Sequence, residues 1–167
     1  KDFPFKTNLY KLWSPATISK TNMRQKGVGL LSFGMSHKLQ IDKFKKLKII
    51  FDKIYKDNYY FKISLALHEY KSFDDEFLKP YTKLKKIFGE KLLFLGFASD
   101  DFLSTELKKC DFYVAFFDKG LRDNNSSVVA ALNHKCKIIT NMDKYSPNFL
   151  INSKNILDID KIRNKKD

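Results

Sequence analysis

Cysteine is scarce: only Cys110 and Cys136 occur in 167 residues. Two thiols build no disulfide framework, and their separation has no metal-ligand spacing. Each precedes an apolar run, so both are expected at the amino-terminal edge of a sheet, as free thiols in a reducing cytoplasm; a bridge is geometrically conceivable. Arginine is scarcer still for so basic a chain. Of 32 Lys and Arg residues, only Arg24, Arg122 and Arg163 are arginine. No apolar run approaches the roughly 18 residues that a membrane span needs. Nothing reads as a secretory leader, and the chain opens on Lys1 without a methionine, so a piece of a longer protein is expected. There is no GxGxxG after the first apolar run, no GxxxxGKS or GxxxxGKT loop and no GxSxG elbow. There is no His, Cys and carboxylate cluster for zinc, so no metal is expected. A receiver domain needs acidic residues closing its first strand, and residues 27–35 (GVGLLSFGM) hold none.

What is present is globular. Hydrophobic residues make up 43% and aromatics 15%, enough for one domain with a sizeable core. The net charge of +13 points to an anionic partner, whether nucleic acid, anionic lipid or nucleotide. Lys43, Lys45, Lys46, Lys48 and Lys53 nevertheless fall on one predicted helix, and solvated helix faces are the plainer account.

Apolar runs alternate with helical patterns. Strands are expected at 27–35, 59–67, 92–97, 112–117, 137–140 and 156–159. Helices are expected over about 40–55, where Phe44, Leu47, Ile50, Phe51 and Ile54 form one stripe, over 74–88 with an irregular first part at Pro80, and over 100–109 behind a Ser99 cap. A further helix follows residue 125, and residues 147–151 suggest a helical turn. This alternation predicts an α/β fold: a Rossmann-like, doubly wound parallel sheet of about six strands in three α/β/α layers. The domain proper spans 27–160, with 1–26 as linker or edge segment and 161–167 as a charged tail.

Residues 111–141 carry the most chemistry. They read as strand, polar loop, helix and strand, with Asn124, Asn125, Ser126 and Ser127 at the helix start. A helix amino terminus offers unpaired N–H groups and the positive end of the macrodipole. At the carboxyl edge of a parallel strand this makes an anion site. Arg122 in the loop adds a fork able to grip a phosphate through two N–H groups; the plain alternative is a capped helix beside a solvated arginine. The same edge collects Gly34, Ser36, His37 and Lys38 after the first strand, and His68 and Glu69 after the second. Phe97, Ala98 and Ser99 follow the third strand, and residues 141–144 the fifth. His134 ends the helix, where it complements the dipole. Cations, amides and an aromatic ring together suit a nucleotide diphosphate.

These pieces resemble a family. GVGLLSFGM followed by a His-Lys loop and a long helix is similar to the opening of the carboxyl-terminal, donor-binding half of GT-B-fold nucleotide-sugar glycosyltransferases. LLFLGFASDDFLSTELKKCDFYVAFF and GLRDNNSSVVAALNHKCKIITN resemble that family's next stretches, so the likeness covers about residues 27–159. It implies a donor such as a UDP- or GDP-sugar and transfer without cofactor or metal. It also implies an acceptor domain, amino-terminal to this one, that usually holds the catalytic base; no catalytic residue is assigned here, and the domain alone is expected to be inactive. By position, Lys38 approaches the diphosphate, Phe97 borders the base, and Asn125, Ser126 and Ser127 cradle the phosphates, with Gly34, His37, Arg122 and Asn124 nearby. Many retaining members carry two glutamates eight positions apart; Arg122 and Ala130 stand at those positions here. The resemblance implies bacterial surface polysaccharide or glycolipid synthesis in the cytoplasm, with possible peripheral contact with the anionic inner face of the membrane and no specific nucleic acid. Two alternatives stay open: a nucleoside-processing domain of deoxyribosyltransferase or TIR-like type, and a non-enzymatic basic binding module.

Overall fold

The computed structural model describes residues 26–34, 39–65, 75–152, 154 and 156–162. Calls on residues 1–25, Ser36, His37, Lys38, His68, Glu69 and the tail from 163 lie outside the described residues. The chain runs β1 (Val28–Gly34), α1 (Ile41–Tyr55), β2 (Tyr59–Leu65), α2 (Asp75–Phe88), β3 (Leu92–Gly96), α3 (Asp100–Lys109), β4 (Phe112–Val114), α4 (Ser126–Asn133), β5 (Lys137–Thr140) and β6 (Ile156–Asp158). All strand pairs are parallel, in the order β3-β2-β1-β4-β5-β6. The expected six-stranded doubly wound sheet is therefore what forms. The strand order reverses between β1 and β4, which opens a crevice beyond the carboxyl ends of those parallel strands.

Period-two alternation splits the core between the two faces of the sheet. Leu30, Phe112, Val114, Phe116 and Ile139 join Phe44, Leu47, Leu84 and Phe88 of α1 and α2 on one face. Leu31, Tyr113, Ala115, Phe117 and Ile138 join Leu107, Val128 and Ala131 of α3 and α4 on the other. Phe44 is the hub of the first face, with ring centroids 4.9 Å from Phe116, 5.5 Å from Phe61 and 6.4 Å from Phe88.

Several local expectations are corrected. The α2 helix runs through Pro80 without a break. Residues 147–151 make a single Pro147-to-Leu150 hydrogen-bonded turn and no helix. The β4 strand ends at Val114, short of the expected 117: the Ala115 N–H still reaches the Ile139 carbonyl of β5 at 3.1 Å, and Phe117 pairs with the Asn141 side chain.

Candidate functional site

A cleft of about 700 Å³ opens beyond the ends of β1 and β2, between α3 and α4. Phe33 and Gly34 form its floor at the switch point, joined by Ser64. Gly34 has φ +119° and can turn the chain out of β1 where a side chain would strain it. Phe97, Ala98 and Asp100 line it at the β3 end, with Phe97 75% exposed. The Ser99 hydroxyl caps α3 by accepting from the Phe102 N–H at 3.4 Å.

The far wall is α4. Ser126, Ala130 and His134 recur every four residues and all line the cleft, with Ser127 beside them. Ser127 is buried, and its hydroxyl donates to Tyr113, whose own hydroxyl donates to the Phe33 carbonyl at 3.2 Å. One buried phenol thus joins the end of β1 to the first turn of α4. Across the cleft Ser104 of α3 lies 2.9 Å from His134 Nε2, while His134 Nδ1 lies 2.8 Å from the Ala130 carbonyl. Neither Lys nor Arg is among the described residues lining the cleft, and Asp100 is the one carboxylate there. Any anion held by these residues must rely on hydroxyls and the α4 amino terminus.

Of the candidates named from sequence, Gly34, Phe97, Ser126 and Ser127 come together in this cleft. Arg122, Asn124 and Asn125 sit in the loop before α4 and do not line it. Asn125 occupies the N-cap position, yet its side chain makes no capping bond. Its Oδ1 accepts from the Arg122 N–H at 2.8 Å instead. The Arg122 guanidinium is engaged fork to fork by Asp143, at 2.8 and 2.7 Å, and also donates to the Leu121 carbonyl at 2.9 Å. Its anion-gripping geometry is real, but the anion it grips is internal. Ser64, Ser104 and Tyr113 were missed as site residues, because each acts through a partner far away in sequence. His134 was named only for the dipole. Its bond to Ala130 fits that role, and its bond to Ser104 adds to it.

Among the described residues no group of three or more His, Cys, Asp or Glu could hold a metal ion, and no helix is long and apolar enough to cross a membrane.

No protein-family model matches the sequence, and no curated protein matches it. Solved structures do match. The carboxyl-terminal domain of a glycosyl transferase group 1 family protein, LpcC, from Francisella tularensis aligns with TM-score 0.59 at 19% identity, over 80% of this chain and 69% of that one. An α,α-trehalose-phosphate synthase (UDP-forming) from Burkholderia vietnamiensis aligns with TM-score 0.55 at 7% identity, over 72% of this chain and 31% of that one. The pneumococcal O-GlcNAc transferase GtfA, solved with UDP and GlcNAc, gives 0.52 at 14%, over 78% of this chain and 24% of that one. The chain has the fold of the carboxyl-terminal domain of GT-B glycosyltransferases, as its sequence resemblance implied. It spans 31% and 24% of the synthase and the transferase, so it corresponds to one part of such enzymes.

Proposed function

We propose that this chain is the donor-binding domain of a glycosyltransferase and holds the nucleoside diphosphate of a UDP- or GDP-sugar. The observation that carries this reading is the cleft at the strand-order switch, walled by the serine-bearing start of α4. A pyrophosphate seated there meets the positive end of the helix dipole and the Ser126 hydroxyl. An exposed aromatic, Phe97, stands at the β3 end, where a base can stack. Two proteins of this fold, GtfA and the E. coli protein solved with UDP-2-fluoro glucose, were captured with uridine nucleotides. On this reading the α4 helix dipole and the serine hydroxyls stabilise the leaving diphosphate, and the transfer uses no cofactor. The acceptor and the catalytic base then come from an amino-terminal acceptor domain, so this domain alone binds without turning over. A role in bacterial surface polysaccharide or glycolipid assembly, at the cytoplasmic face of an anionic membrane, is part of the same reading.

Isothermal calorimetry with UDP and GDP tests it. Saturable one-to-one binding, weakened by Ser126→Ala, is the expected result. Absence of heat with both nucleotides, in a protein shown to be folded by circular dichroism, overturns it.

A further inference from the structure

The chain has only two cysteines, and the fold brings them together from 26 positions apart. Cys110 caps the end of α3, its N–H bonded to the Glu106 carbonyl. Cys136 stands just before β5, its N–H bonded to the Ala131 carbonyl at 3.0 Å. Phe112 is in register with Lys137 where β4 and β5 begin, so the residues ahead of those strands are neighbours as well. The two Sγ atoms lie 3.7 Å apart. Both thiols donate to one acceptor, the Leu107 carbonyl, at 3.5 and 3.1 Å. A disulfide holds its sulfurs about 2 Å apart, so closure asks for a movement of under about 2 Å. The span between the cysteines holds β4, the polar loop and all of α4. Ser126, Ser127, Ala130 and His134 within it line the cleft, as does Leu107 just ahead of it.

We propose that Cys110 and Cys136 form a reversible redox site, which a small-molecule disulfide converts to an internal bridge that ties the β4–α4 unit at its base. The step is a pair of thiol–disulfide exchanges. Cys110 is half-buried and is the sulfur a reagent can reach, whereas Cys136 is buried. The Cys110 thiolate attacks one sulfur of the small disulfide, and the thiolate that leaves takes up the proton Cys110 gave up. Cys136 then attacks the Cys110 sulfur, loses its proton in the same way and expels the second small thiol. Two electrons pass from the protein to the reagent; one disulfide is reduced to two thiols and one is made. Burial pushes both thiols up, so the thiolate is scarce and the exchange slow. Oxidation also takes both S–H donors from the Leu107 carbonyl, so the two redox states differ at a residue that lines the cleft. None of this depends on what the cleft binds.

The test treats the folded chain with oxidised glutathione at pH 8 and follows it by mass spectrometry and thermal unfolding. The expected product has lost two hydrogens and carries no glutathione, and an excess of reduced glutathione restores the starting protein. Closing a loop of this length should raise the thermal midpoint by about 5–10 °C. Cys136→Ser should stop with one glutathione on Cys110, and Cys110→Ser should leave Cys136 unmodified in the folded chain. A wild-type chain that stays reduced, keeps a bound glutathione, cross-links only between molecules or bridges only in urea overturns the proposal. So does a bridge that reduced glutathione cannot reopen, or a bridged chain whose midpoint fails to rise, since the native fold then does not accommodate it.

Discussion

Asn141 pairs with Phe117 as though it were a neighbouring strand: its Oδ1 accepts from the Phe117 N–H at 2.8 Å and its Nδ2 donates to the Phe117 carbonyl at 2.7 Å. Both residues are buried. The Asn141 carbonyl then accepts from the Leu121 N–H at 2.9 Å, so one residue holds two points of the loop that leads to α4.

Asn141→Leu leaves the Phe117 N–H unpaired in the core, while the Phe117 carbonyl keeps its bond from the Gly120 N–H at 3.3 Å. The unpaired N–H costs about 1–3 kcal/mol, and a loss of that size is expected in urea unfolding. Asn141→Asp should do no better, because a carboxylate cannot donate to the Phe117 carbonyl. A loss within experimental error for both variants contradicts the clamp.

Tyr113 joins the ends of β1 and α4 through the Phe33 carbonyl and Ser127. Tyr113→Phe keeps the ring and deletes the hydroxyl. The expected stability loss is about 1–3 kcal/mol, the cost of leaving a buried partner unsatisfied. Because the lost bonds reach Phe33 and Ser127, which line the cleft, UDP affinity should also fall. A variant as stable as wild type, or one that loses stability with UDP affinity intact, uncouples this phenol from the site.

The Arg122–Asp143 pair should be visible as acid sensitivity. The hydrogen bond from Arg122 comes first among the causes that hold the Asp143 carboxyl down to about 2. A carboxylate kept ionised in the folded chain takes up its proton more readily when unfolded. Its contribution is therefore complete above the ordinary carboxylate range and is lost as pH falls from about 4 toward 2. Arg122→Ala removes the cause, so its stability should fall less steeply across that window than the wild type's. The pair is partly exposed, and added salt should narrow the difference. Parallel acid profiles for the two proteins contradict the assignment.

The fold was legible because burial leaves a periodic trace. Leu30 against Leu31, and Ile139 against Ile138, alternate between the two faces of the sheet. Continuous apolar runs of that kind mark strands covered on both sides. The Ser99 cap and the turn at Gly34 were legible because each is a local event. Pairings across long sequence separations left no such trace. Asp143 claims Arg122 from 21 positions away, and His134 meets Ser104 across 30. Asn125 stands where an N-cap was expected, but its side chain turns back to the Arg122 N–H, a choice that composition cannot distinguish from capping. Residue types thus marked the crevice, while tertiary partners decided which side chains were free to serve it.

The two thiols offer a measurement free of any ligand. Cys110 Sγ and Cys136 Sγ stand 3.7 Å apart without a bond, and both donate to the Leu107 carbonyl, at 3.5 and 3.1 Å. Burial is the first cause that pushes each thiol up, far above the ordinary range for Cys110, where the neighbouring Cys136 adds to it. Only the thiolate is nucleophilic, so iodoacetamide at pH 8 should modify the folded chain much more slowly than the chain in urea. The linkage has a definite sign. The unfolded chain gives up its thiol protons first, at about 8.5, so the stability tied to these groups is complete below that range and declines as pH rises through it. Cys110→Ser should flatten this alkaline decline. Equal alkylation rates for folded and unfolded protein, or an alkaline profile untouched by Cys110→Ser, places the thiols in water instead of against Leu107.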